Sequence, residues 1–120
     1  MATIDLTSKD FEETVTKDGI VLVDFWAEWC PPCKMFGPVF DASSEANPDV
    51  VHAKVDTEAE QGLGAALQVM NIPTIMAFRD GIMIHRQAGA LPGPVLQQLI
   101  DEVKGLDMDE VRKTATTQTI

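Results

Sequence analysis

Cys30 and Cys33 are the only two cysteines of the 120-residue chain, and Pro31 and Pro32 separate them. They lie between an apolar run, residues 20–26, and a segment with the composition of a helix. Cysteines three positions apart on one helical turn bring their Cα atoms to within about 5–6 Å, the separation that a disulfide requires. A helix N-terminus also lowers the pKa of a thiol, and the thiolate is the reactive form. The spacing therefore predicts a pair that forms and breaks a disulfide with little backbone movement.

Two other uses of a cysteine pair remain open at this point, namely a structural zinc site and an inert structural disulfide. Zinc prefers four ligands, and the only other candidate nitrogen ligands are His52 and His85. These histidines fall on separate predicted strands, and we interpret both as strand-surface residues. We therefore favour redox chemistry, with no metal and no bound cofactor.

Composition narrows the classes of partner. The formal net charge of −10 repels phosphate backbones, which disfavours nucleic acid as a direct partner. The first residues lack the basic and apolar regions of a signal peptide, and no apolar run approaches the roughly 20 residues of a membrane span. One closely spaced cysteine pair in such a chain is more often catalytic or metal-binding than stapling. We expect a cytoplasmic monomer with no membrane partner.

The apolar periodicity and the turn residues predict the element order β-α-β-α-β-α-β-β-α. The predicted strands lie near residues 4–6, 20–26, 50–55, 74–78 and 82–87, and the predicted helices near 7–17, 32–46, 59–69 and 92–104. Helices between strands imply parallel pairing, whereas Asp80-Gly81 between the last two strands predicts an antiparallel hairpin. The expected fold class is therefore α/β, with a mixed sheet of four to five strands and helices on both faces.

Residues 23–34, Val-Asp-Phe-Trp-Ala-Glu-Trp-Cys-Pro-Pro-Cys-Lys, closely resemble the active-site stretch of thioredoxins. Further matches follow in the same order, at Lys54-Val55-Asp56, Ile72-Pro73-Thr74, Phe78-Arg79-Asp80-Gly81 and Ala88-Gly89-Ala90. The resemblance implies the thioredoxin fold, with a thioredoxin domain at residues 1–104. Residues 105–120 form a polar tail that we expect to extend the last helix or to be disordered. The usual thioredoxin has glycine at the position of Pro31.

The resemblance also implies a function, the reduction of protein disulfides by a dithiol electron carrier. In that function Cys30 is the exposed nucleophile, and Cys33 resolves the mixed disulfide. Asp24 lies within the most apolar strand, so burial should raise its pKa and suit it to take the proton from Cys33. Lys54 on the neighbouring strand would moderate that rise. The alternative for Asp24 is an acid that is paired for structural reasons.

A substrate-binding surface follows from the same resemblance. The expected surface surrounds the reactive sulfur and consists of Trp29, Ile72, Pro73, Gly89 and Ala90. The bond between Ile72 and Pro73 is expected to be cis, and the backbone beside it to pair with an extended substrate segment. Trp26 is interpreted as packing support instead.

The resemblance further implies that a flavin- and NADPH-dependent thioredoxin reductase recycles the oxidised form. The chain has no glycine-rich dinucleotide motif of its own, so we expect it to bind no nucleotide. One rival is a thiol oxidase or isomerase on the same fold, which tends to carry a histidine between the cysteines. The other alternative is a binding module, in which the apolar surface binds a partner and the redox chemistry is incidental.

Overall fold

The computed structural model describes residues 2–114, which form one five-stranded sheet with helices on both faces. The strands are β1 (Thr3–Asp5), β2 (Ile20–Trp26), β3 (Val51–Asp56), β4 (Thr74–Arg79) and β5 (Ile82–Ala88). The helices are α1 (Phe11–Val15), α2 (Pro31–Ala46), α3 (Gln61–Ala66), α4 (Gly93–Lys104) and α5 (Met108–Thr114). The strand order is β1-β3-β2-β4-β5. Strands β1, β3 and β2 are parallel to one another, β4 is antiparallel to β2, and β5 is antiparallel to β4. This mixed sheet confirms the α/β prediction.

Strand β2 lies at the centre of the sheet, parallel to β3 on one side and antiparallel to β4 on the other, and its apolar residues are covered on both faces. Val21, Val23 and Phe25 belong to the core under α1 and α3. Leu22 belongs to the core under α2 and α4, together with Phe40 of α2. The sheet therefore separates two cores, and β2 fixes the position of the segment that follows it.

Helices α1 and α3 are shorter than their patterns predicted. Residues 7–10 form a turn in which a carboxylate oxygen of Asp10 accepts a hydrogen bond from the backbone N–H of Thr7 at 2.7 Å. The carbonyl oxygen of Thr7 accepts a hydrogen bond from the N–H of Phe11 at 3.1 Å, so this capped turn leads directly into α1, which begins at Phe11. Helix α3 contains two glycines, which are weak helix formers, and ends before Gln68, whose φ of 55° lies in the left-handed region.

Residues 105–114 neither continue α4 nor lack structure. Residues 105–107 are not helical and separate α4 from α5. Met108 of α5 packs against Ile82 of β5. Arg79 donates hydrogen bonds to three carbonyl oxygens around the end of α4, those of Val103, Lys104 and Leu106. The predicted disorder of the final residues falls on 115–120, which lie outside the described residues.

His52 is buried, so its interpretation as a strand-surface residue is wrong. Only 1% of the residue is exposed, because β3 lies inside the sheet and α2 covers this face. Its Nδ1 lies 2.9 Å from the carbonyl oxygen of Val50, and its Nε2 lies 2.9 Å from Oγ of Ser43. Burial lowers the pKa of His52 and so favours the neutral ring, although the hydrogen bond to the Val50 carbonyl acts in the opposite direction. His85 on β5 is partly exposed, as expected for a strand-surface residue.

Candidate active site

Cys30 and Cys33 form a disulfide at the start of α2, with their Cα atoms 5.3 Å apart as the spacing predicted. Cys30 is the residue immediately before the helix, and its sulfur accepts a hydrogen bond from the backbone N–H of Cys33 at 3.3 Å. A sulfur in this position lies against the positive end of the helix dipole. The local geometry therefore favours a thiolate at Cys30 when the disulfide is reduced.

Pro31 and Pro32 occupy the first two helical positions, one residue earlier than the predicted start at Pro32. The first N–H groups of a helix have no partner within the helix, so two prolines are accommodated there without a lost bond. Both side chains are exposed. The helix can therefore begin directly after Cys30.

Neither cysteine is exposed in the disulfide form, so the expectation of an exposed Cys30 is wrong for this state. Cys30 is 2% exposed and Cys33 is 4% exposed. Ala27 is buried with them, and Trp26 and Ile72 pack against the group. Burial thus does not indicate which thiol is the nucleophile. Their positions do, because Cys30 precedes α2 and Cys33 lies within it.

The Ile72–Pro73 peptide bond is cis, as expected from the resemblance. The carbonyl oxygen of Ile72 lies 3.6 Å from the sulfur of Cys30, so this segment directly faces the disulfide. The carbonyl of Pro73 accepts a hydrogen bond from the N–H of Gly89 at 2.8 Å. Ala90 follows Gly89 and is exposed. The structure thereby brings Ile72, Pro73 and Gly89 together beside Cys30.

An open groove of about 410 Å³ lies beside the disulfide, and Trp29 and Ile72 are among its lining residues. Trp29 is 65% exposed, and Met70, another lining residue, is 85% exposed. Glu58 and Gln61 contribute polar groups to the same groove. Met70, Glu58 and Gln61 were not predicted from the sequence, although the position of Met70, three residues before Pro73, was an available signal.

Asp24 is a buried acid on β2 and is only 1% exposed. Burial raises its pKa to about 7, the neighbouring Lys54 opposes that rise, and Asp41 of α2 adds to it. Lys54 is its register partner on β3, so both side chains leave the same face of the sheet. Within residues 2–114, neither carboxylate oxygen of Asp24 has a hydrogen-bond partner. The structure agrees with the predicted direction of the pKa, and it adds Asp41, which the sequence analysis missed.

Lys54 also lies 5.0 Å from the centre of the Trp26 ring, a cation–π distance. Trp26 is half-buried and packs against the cysteine group, in agreement with its interpretation as packing support. Among the described residues, no cluster of three or more His, Cys, Asp or Glu side chains could hold a metal ion. No helix of residues 2–114 has the length and apolar character that crossing a membrane demands.

Comparison with known proteins decides the family. The family model described as thioredoxin matches residues 2–102. The chain belongs to the thioredoxin family. It is 50% identical over 117 residues to a putative thioredoxin 2 of Streptomyces coelicolor, covering 98% of this chain and 87% of that protein. It is 37% identical to a thioredoxin of Staphylococcus aureus, covering 85% of this chain and 98% of the other.

A solved structure supports the same assignment. The crystal structure of a thioredoxin from Malassezia sympodialis superposes with a TM-score of 0.76 at 31% identity. The match covers 85% of this chain and 93% of the other. Thiol–disulfide exchange through the Cys30–Cys33 pair is therefore the chemistry of this thioredoxin-family protein.

Proposed function

We propose that this protein reduces disulfides in other proteins and is itself reoxidised to the Cys30–Cys33 disulfide. The observation that carries the proposal is the position of Cys30 before α2, with its sulfur 3.3 Å from the N–H of Cys33 and beside the carbonyl of Ile72. The first contact stabilises a Cys30 thiolate, and the second leaves the sulfur next to a backbone segment on which a substrate could dock.

The reaction proceeds by two exchanges. The Cys30 thiolate attacks one sulfur of the substrate disulfide, the substrate S–S bond breaks, and its other sulfur leaves as a thiolate. Cys33, once deprotonated, then attacks the sulfur of Cys30, breaks the mixed disulfide and releases the second substrate thiolate. Two electrons have passed to the substrate, and the chain ends with the Cys30–Cys33 bond closed.

Asp24 is proposed to accept the proton of Cys33 in the second exchange. A carboxyl with a pKa of about 7 can both hold and release a proton near neutral pH, which an ordinary aspartate cannot do efficiently. Lys54 keeps that pKa from rising further, because its positive charge favours the ionised carboxylate.

The substrate surface is proposed to consist of Trp29, Ile72, Pro73, Gly89 and Ala90, with a substrate segment extended along the cis bond. Support comes from the cluster of Ile72, Pro73 and Gly89 around Cys30 and from the exposed indole of Trp29. We also propose recycling by an NADPH- and flavin-dependent thioredoxin reductase in the cytoplasm, with the protein acting as a monomer. A reducing compartment supplies the electrons that the closed disulfide requires.

The test is turnover of a disulfide protein such as insulin, followed as NADPH consumption in the presence of a bacterial thioredoxin reductase. The expected result is turnover by the wild-type protein and none by the Cys30→Ser, Cys33→Ser double variant. A double variant that retained full function in cells would favour the binding-module alternative. A reduction potential above that of the glutathione pool would instead identify an oxidase or isomerase.

Pro31 is expected to make the protein a stronger reductant than glycine would. The proline ring stiffens the turn between the cysteines, and it removes one backbone N–H near Cys30 that could stabilise the reduced thiolate. We expect Pro31→Gly to raise the reduction potential by roughly 20 mV, which corresponds to about 1 kcal/mol for a two-electron couple. Equilibration with a dithiol buffer, followed by the fluorescence of Trp26 and Trp29, measures it. An unchanged or lower potential would contradict this account.

A further inference from the structure

Arg86 joins the edge strand β5 to the loop that forms part of the groove lined by Trp29 and Ile72. Its Nη1 donates to the carbonyl oxygen of Leu67 at 2.6 Å, and its Nη2 donates to the carbonyl oxygen of Gln68 at 2.5 Å. Both carbonyls lie just beyond α3, where the last turn of a helix leaves carbonyl groups without partners. The guanidinium fork satisfies two of them at once, which a single point charge could not do.

The side chain of Arg86 reaches the loop because of its register in the sheet. Arg86 is the partner of Met76 on β4, and directly opposite residues of an antiparallel pair point to the same face. Met76 belongs to the core that Leu67 and Val69 also cover. The guanidinium therefore lies on the α3 face, at the beginning of residues 67–73.

The other end of this loop is also attached to β5. The carbonyl of Pro73 accepts from the N–H of Gly89, and Thr74 pairs in register with Ala88. Between the two attachments run Val69, Met70 and Ile72, three residues that line the groove beside Cys30. The loop thus spans two fixed points on one strand, and Arg86 supplies the one farther from the cysteines.

The backbone at the Arg86 attachment turns sharply. Gln68 has a φ of 55°, the left-handed conformation in which many helices end. The N–H groups of Gln68 and Val69 donate to the carbonyls of Ala65 and Gly64, so the end of α3 also holds this turn. The carbonyl that Arg86 binds belongs to Gln68, and loss of the guanidinium would therefore remove the attachment of this turn to β5.

We propose that Arg86 is a positioning residue for protein substrates, fixing residues 67–72 so that the groove beside Cys30 is formed before a substrate arrives. This inference rests on the proposed function. Because a preformed wall contributes to docking and not to thiol chemistry, its loss should raise KM while kcat stays unchanged. Within residues 2–114, Arg86 forms no hydrogen bond to Cys30 or Cys33.

The test compares Arg86→Gln, Arg86→Lys and the control Arg112→Gln in the insulin assay with thioredoxin reductase. Arg112→Gln removes the same positive charge from an exposed arginine, but one bound to Asp80 and Asp109 at the other end of the hairpin. We expect Arg86→Gln to raise KM for insulin about 5- to 10-fold, Arg86→Lys to give a smaller rise, and Arg112→Gln to leave KM unchanged.

Three further measurements separate positioning from general stability. The rate with a small aromatic disulfide and the reduction potential should be the same in wild type and Arg86→Gln, because neither uses the groove. Amide hydrogen exchange of residues 67–72 should become faster in Arg86→Gln. An Arg86→Gln variant with a lower melting temperature but unchanged KM for insulin would overturn this inference alone. A wild-type protein that fails to reduce insulin would overturn the proposed function as well.

Discussion

Replacing Asp24 with asparagine should stabilise the oxidised protein by about 2–4 kcal/mol at pH 8. Burial raises the pKa of Asp24 to about 7 in the folded state from an ordinary value of 3.8. That difference corresponds to about 4 kcal/mol, because one pKa unit is worth about 1.4 kcal/mol. The lower end of the expected range allows for the asparagine amide, which would also be buried without a partner in place of the carboxyl.

The sign of the effect fixes its dependence on pH. Between pH 4 and pH 7 the unfolded chain has released the Asp24 proton while the folded chain still holds it. The free energy of unfolding therefore falls as pH rises through this window, and the loss is complete above about pH 7. Below pH 4 the carboxyl is neutral in both states, so Asp24→Asn should give no stabilisation there.

Urea unfolding of wild type and Asp24→Asn at several pH values from 4 to 8 measures this difference. Asp49→Asn is the matched control, because Asp49 is an exposed acid whose pKa is lowered by a hydrogen bond from Lys104. That variant should show no gain at pH 8. Asp41→Asn should lower the pKa of Asp24, since the charge of Asp41 contributes to its rise. A constant difference between wild type and Asp24→Asn across the pH range would mean that Asp24 titrates normally.

The same substitution should slow the second exchange of the reaction. Without a carboxyl that accepts a proton near neutral pH, Cys33 reaches its thiolate less often, while attack by Cys30 is unaffected. Stopped-flow kinetics should therefore show an unchanged rate of mixed-disulfide formation and a slower release of substrate. Equal slowing of both steps would assign Asp24 a structural role instead.

The sequence predicted those elements whose apolar pattern is strong and regular. Residues 20–26 were expected to be a central strand and are β2, and the Asp80-Gly81 turn was expected to join an antiparallel pair and does. The pattern was a weaker guide to the ends of helices. Residues 7–10 form a turn that leads into α1, and α3, which contains two glycines, ends at Ala66. Periodicity identifies the apolar face of a helix but not the residue at which the helix begins or ends.

The sequence could not predict the roles of residues that depend on partners distant in the chain. His52 stands in a strand pattern that could face either way, and only the packing of α2 shows that it is buried against Ser43. Arg86 looks like an ordinary polar residue of an edge strand until its bonds to Leu67 and Gln68 are seen. The redox role of the cysteine pair needed less context, because the spacing of three residues and the resemblance of the surrounding sequence to thioredoxins both indicate it.

A Cys33→Ser variant should trap substrates as mixed disulfides, whereas Cys30→Ser should not. Cys30 has the position before α2 and the N–H contact that favour a thiolate, and both survive in Cys33→Ser. The serine hydroxyl is far too weakly acidic to attack the Cys30 sulfur, so the covalent complex with the substrate persists. We expect catalytic turnover to fall by at least about a thousandfold in both variants.

The two variants differ in what accumulates, and this difference assigns the roles of the thiols. Reduced Cys33→Ser mixed with a disulfide protein should give a covalent adduct that is visible by mass spectrometry and is released by a dithiol. Reduced Cys30→Ser is the control, since its Cys33 lies within the first turn of α2 and lacks the position before the helix that favours a thiolate. Adducts with Cys30→Ser and none with Cys33→Ser would reverse the assignment. That result would mean that the helix N-terminus does not decide which sulfur attacks.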